Sequence, residues 1–186
     1  MRLPSYVGGK TTHEVGFFDI DADRLSAWLL RGLGEGWGLS TAAWRSMTDV
    51  VEALRPVTVL SREACIPIGS WSLQLNNTPS GTDVGVVPSR AARELGCRAM
   101  RAVCTEDGEV VYPARILNVY GPAGRPPLAI ERNIVAANDG GRWVFETSGT
   151  PFPFEDTAAY SNRLKSTRFT SAGSRDQRNN SVRRRP

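Results

Sequence analysis

At 186 residues, with 40% apolar and 23% charged side chains and five Trp, six Phe and four Tyr, the chain is long enough to bury a core without cross-links and globular in composition. Three cysteines are too few for a disulfide scaffold, and no stretch reaches the ~18 apolar residues of a membrane span, so a reducing, cytoplasmic setting with no membrane partner is expected. The net charge of +4 is uneven: residues 163–186 hold eight Lys or Arg against Asp176 alone, giving +7, which leaves fifteen bases and eighteen acids elsewhere, or −3. Nucleic-acid binding therefore has no compositional ground outside the basic end, where Arg183, Arg184 and Arg185 lie together without an aromatic side chain to stack on bases.

In chain order, Val15, Phe17, Phe18 and Ile20 read as a short strand, and Leu25, Trp28, Leu29 and Leu33 recur at helical spacing behind it. Asp21 or Asp23 is the expected N-cap of that helix and Gly34 its stop. A glycine-rich loop holding Trp37 follows. Residues 40–54 present Ala43, Trp44, Met47, Val50, Val51 and Leu54 at spacings of three and four, which predicts an amphipathic helix ended by Pro56. Strands are expected at 57–60 and 70–75, the second with Trp71, Leu73 and Leu75 on one face and Ser70, Ser72 and Gln74 on the other. The polar run at 76–83 is a turn cluster.

Pro88 and Ser89 open a short helix that Gly96 closes. Strands are then expected at 98–103, 110–120, 128–136 and 142–147, with turns at 106–108, 121–127 and 138–141. Residues 155–169 begin a last helix. Beyond Phe169 only Val182 is a sizeable aliphatic, too little to offset ordering entropy. The expected architecture is α+β, mainly an antiparallel sheet in the second half packed against two or three helices, with a domain over 1–170 and a disordered basic tail at 171–186. Deleting that tail is expected to leave the unfolding midpoint nearly unchanged.

Gly8, Gly9, Lys10 and Thr11 have the look of a phosphate-binding loop, but its first glycine would fall on Pro4 and no strand has room to precede it. His13 is the only histidine, so a histidine-based triad or a multi-histidine metal site has little to be built from, and the cysteine spacings are not those of a zinc site. Cys65, Cys97 and Cys104 read as buried or half-buried packing residues. Asp19, Ile20, Asp21, Ala22 and Asp23, placed behind a strand, resemble the nucleophile loop of haloacid-dehalogenase-type phosphatases. That resemblance implies Asp19 as nucleophile, Asp21 as general acid and a magnesium ion. The chain departs from the family pattern in having only Lys10 and Lys165 for the downstream lysine and no later pair of adjacent acids after a strand. The competing reading of the same acids is helix capping.

The block from 143 to 169, with Trp143, Val144, Phe145 and Glu146, then Phe152, Phe154 and Glu155, then Tyr160, resembles the ends of bacterial immunity-type proteins that neutralise toxins. The resemblance implies a non-catalytic protein-binding role with no cofactor, and an acidic face suited to a basic partner. The partner-facing candidates are Asn76, Asn77 and Asp83 in the polar turn and Trp143, Glu155 and Asp156 in the later block. The enzyme alternative rests on Asp19 and Asp21 alone.

Overall fold

The alternation read at the start of the chain becomes β1 (Thr12–Phe18), a strand enclosed on both sides by others in the computed structural model, which describes residues 12–54, 62–77, 81–105 and 112–170. Then come α1 (Ala22–Leu33), α2 (Met47–Ala53), β2 (Glu63–Ile68), β3 (Trp71–Asn76), the two-residue β4 (Gly81–Thr82) and α3 (Val87–Leu95). The chain continues through β5 (Ala99–Thr105), β6 (Ala114–Arg125), β7 (Ile130–Asn138) and β8 (Trp143–Gly149), and ends in two 3-10 turns, Thr157–Ser161 and Lys165–Thr167. Seven strands form an antiparallel sheet in the order β2-β3-β1-β5-β6-β7-β8, with β4 parallel to β1, so the class is α+β as expected. The readings at 8–11, 57–60 and 106–108 and on the tail 171–186 lie outside the described residues.

Register decides which side chains share a face. Phe18 stands opposite Ala99, and Ala99 opposite Tyr120; these three pack under α1 and α3 with Leu25, Trp28, Leu29, Ala91 and Ala92. The other face carries Val15, Leu73 and Leu75 against Val50 and Leu54, the residues of and just after α2. Helices therefore lie on both faces, and β3 is buried on both. Its polar side, Ser72 and Gln74, is as inaccessible as Leu73 and Leu75.

Several elements depart from expectation for local reasons. The helix expected over 40–54 begins only at Met47, because Ser46 and Asp49 form a reciprocal capping box that starts it there: the Asp49 amide donates to Ser46 Oγ, and Asp49 Oδ2 accepts from the Ser46 amide at 3.0 Å. The segment 63–68 is a strand despite Pro67, tolerable because β2 lies at the end of the sheet. Strand β6 runs on through the expected 121–127 loop to Arg125, with register shifts around Tyr120. Gly124 permits this, since a Cβ there would come within 1.9 Å of the Ala129 carbonyl oxygen. Residues 155–169 make the two 3-10 turns in place of a continuous helix, tied down by Glu155 as described below. Among the described residues no helix is long and apolar enough to cross a membrane.

Candidate functional site

Because α1 and α2 cover opposite faces, residues 34–46 must carry the chain around a sheet edge. The edge they pass is β2: Trp37, Leu39, Thr41 and Trp44 line the same groove as Arg62 and, in β2, Glu63, Ala64, Cys65 and Pro67, together with the outer flank of α1 and the inner side of α2. The groove encloses about 750 Å³, within the range of known binding clefts.

Each wall is fixed by a local device. Asp21 caps α1, its Oδ1 accepting from the Arg24 amide at 2.7 Å. Trp28 Nε1 donates to Glu94 Oε2 of α3 at 2.8 Å, with Arg90 over the indole ring, which sets the rotation of α1 and turns Leu30 and Leu33 toward the groove. Arg62 Nη1 donates to the Ala53 carbonyl at 2.8 Å, and Asn77 Nδ2 to the Leu54 carbonyl, tying β2 and the chain after β3 to the end of α2. Leu33, Leu39 and Trp44, all lining the groove, leave 36%, 67% and 37% of their surface in solvent.

The backbone of β2 also has a definite polarity. The Asn77 amide donates to the Arg62 carbonyl at 3.1 Å, so Arg62 faces the β3 side. By the two-residue period of a strand, the N–H and C=O groups of Glu63 and Cys65 then face outward, and Pro67, next in that series, has no N–H to offer.

The ionisable lining is mostly acidic: Asp21, Asp23 and Glu63 against Arg62. Burial pushes the Glu63 carboxyl above its ordinary value, partly opposed by hydrogen bonds from Gln74, at 2.8 Å, and Asn76. Burial likewise pushes the Cys65 thiol up to about 11, so at neutral pH it is a protonated packing group and not a nucleophile.

The residues singled out in the sequence fall in three places. Asp19 and Asp21 sit exposed at the junction of β1 and α1, with the Asp21 carboxylate engaged as the helix cap, and no group of three or more potential metal-ligating side chains occurs among the described residues. Lys165 lies on the last 3-10 turn, which packs against β7 and β8, four and five strands away from β3. Asn76 and Asn77 are buried and turned inward: Asn76 brackets Asp83, accepting from its amide at 2.8 Å and donating to its carbonyl at 2.7 Å, while Asn77 Oδ1 accepts from the Arg62 amide at 2.6 Å. Asp83 is exposed and caps the Gly85 amide. Trp143 opens β8 beneath the Arg115 guanidinium, and Glu155 is enclosed with Arg132 and Tyr160, beside the exposed Asp156. Five strand spacings, about 24 Å, separate β3 from β8, so the six residues form two distant groups and not one surface.

A polar row runs across the sheet on the α1/α3 face. Gln74, Gly16, Arg101, Asn118 and Asn133 stand opposite one another in register on β3, β1, β5, β6 and β7. Arg101 holds Glu14 in a two-pronged pair and reaches Asn118, whose amide donates to Asn133 at 2.6 Å. Burial raises the Glu14 carboxyl despite Arg101, and Asp83 nearby raises it further. Glu14, Arg101, Asn118 and Asn133 bond one another and stiffen the sheet, while Gln74 turns its side-chain nitrogen to Glu63 and leaves its buried Oε1 without a partner among the described residues. Sequence reasoning missed both this row and the groove. The groove had a signal, since Trp37, Leu39 and Trp44 are unusually large side chains for a glycine- and serine-rich connection. No family model, curated protein or solved structure matches the chain, so the site stands on its own geometry.

Proposed function

We propose that this protein is a non-catalytic protein-binding domain whose docking site is the groove between β2, α1, α2 and residues 34–46. The observation that carries the reading is the gathering of Leu33, Leu39 and Trp44, each over a third exposed, at one concave place. Apolar surface kept in water gains about 25 cal/mol per Å² on burial, and contiguous patches of it mark interaction sites. The polar groups beside it support binding over chemistry: Asp21 caps a helix, Glu63 is hydrogen-bonded to two amides and Cys65 is protonated. Neutralisation of a toxin, which the resemblance of residues 143–169 implies, is a narrower form of the same reading.

The test is capture from the native source with a tagged full chain, beside Leu39→Ser and Trp44→Ser variants whose unfolding midpoints match the parent. A stoichiometric partner held by the parent and lost by both variants is the expected result. A partner held equally by the variants, or a clean monomer under gentle extraction, overturns the reading.

A further inference from the structure

Resting on that docking site, we infer that the occupant of the groove is an extended segment of a partner protein that adds a short strand to the outer edge of β2, carrying apolar side chains at its centre and Lys or Arg at its ends.

Three independent features converge on this occupant. The first is the edge. Strand β2 ends the sheet, no other strand pairs with its outer side among the described residues, and the N–H and C=O groups of Glu63 and Cys65 point that way. An extended chain is the partner whose own backbone complements such an edge, with affinity from main-chain hydrogen bonds and selectivity from alternate side chains. Pro67 ends the available ladder, which suits a short segment and blocks the long edge-to-edge pairing that aggregates sheets.

The second is the side-chain lining. Leu30 and Leu33 of α1 flank one side of the β2 edge, the half-buried Ala53 of α2 the other, and Leu39 and Trp44 stand on the strap across it. Successive side chains of an added strand point alternately to the two faces, so both flanks would be filled by one extended peptide.

The third is charge. Asp21 and Asp23 stand at the end of the groove where the β2–β3 hairpin turns, since Ile68 is opposite Trp71 and the Ser72 hydroxyl, beside that turn, reaches the Ile20 carbonyl. With Glu63 they outnumber Arg62, so a cationic residue is favoured there and an acidic peptide or nucleic acid is disfavoured.

The test uses the isotope-labelled full chain and a capped synthetic peptide with a valine–leucine–tryptophan–valine core and two lysines at each end. Three relatives accompany it: one with glutamates for the lysines, and two N-methylated, each at one of the two alternate sets of core amides. Expected are shifts and slowed hydrogen exchange of the Cys65 amide, and loss of about tenfold in affinity on methylating one alternate set but not the other. The glutamate peptide should bind about tenfold more weakly, a gap that Asp23→Asn narrows and that closes near 1 M salt. Asp23→Asn leaves the Asp21 cap in place and so keeps the fold. Equal binding of both methylated peptides overturns strand addition, and equal binding of lysine and glutamate peptides overturns the charge assignment. Binding of no peptide overturns the inference as a whole. The docking site itself fails separately, by retention of the native partner in Leu39→Ser and Trp44→Ser.

Discussion

Arg132 on β7 and Glu155, after β8, form a two-pronged ion pair, with Nη2 at 2.6 Å and Nε at 3.0 Å from the carboxylate oxygens and both side chains almost wholly buried. Arg132 also donates to the carbonyls of Ser148 and Gly149, and Tyr160 donates to Glu155 at 2.6 Å, so the pair clamps the chain after β8 onto the sheet. Removing one partner strands the other in a dry site. Glu155→Ala is therefore expected to lower unfolding stability by about 3 kcal/mol in urea titrations, more than the double variant with Arg132→Met, which leaves no orphaned charge.

The same clamp sets a pH dependence at both extremes. Burial raises the Glu155 carboxyl, but Arg132, the Phe152 amide and Tyr160 outweigh it and hold the group below its usual range. A depressed carboxylate contributes stability that is complete above its unfolded value of about 4.3 and disappears as pH falls through the folded one. Burial, and next the bond to Glu155, push the Tyr160 hydroxyl up to about 12. A raised phenol contributes stability that is complete below its unfolded value of about 10 and is lost as pH rises toward the folded one. The stability gap between the parent and Glu155→Gln should shrink on acidification, and that between the parent and Tyr160→Phe on going alkaline, both read by tryptophan fluorescence.

Asn77 lies between the end of α2 and the start of β2, accepting from the Arg62 amide and donating to the Leu54 carbonyl. Asn77→Ala leaves both backbone groups without that partner in a buried place, and a loss of about 2 kcal/mol is expected. Faster hydrogen exchange should follow at Arg62 and in α2, while β6 and β7 stay protected.

Asp21 separates the two readings of the aspartate pair. As an N-cap it is replaceable by Asn, so Asp21→Asn should change stability by under about 0.5 kcal/mol and Asp21→Ala should cost about 1 kcal/mol. A general acid would not tolerate Asn. The expected result with p-nitrophenyl phosphate and magnesium is no turnover in the parent; turnover abolished by both Asp19→Asn and Asp21→Asn would restore the phosphatase reading.

Local chemistry alone settled a good part of this protein. Asp21 and Gly34 bound α1, Gly96 stops α3 in a left-handed conformation, and Asn138 to Gly141 turn the β7–β8 hairpin, with Asn138 Oδ1 accepting from the amides of both glycines, because caps and turns depend on neighbours within four residues. The alternation in β3 was legible for the same reason. What covers its two faces was not: Ser72 and Gln74 read as a polar side, yet both are buried on the face where α1 packs, Ser72 donating to the Ile20 carbonyl just ahead of that helix. Likewise no periodicity in residues 34–46 announces a groove. Those residues acquire their role because α1 and α2 lie on opposite faces, which forces the chain past β2 and leaves a space beside its open edge. Nothing in the sequence joins Arg132, inside the expected strand at 128–136, to Glu155, a partner-facing candidate twenty-three residues on; they became a buried pair through the fold of the segment between them. Contacts of this kind depend on where whole elements pack, and that is set by the summed burial of many side chains and not by any short run of them.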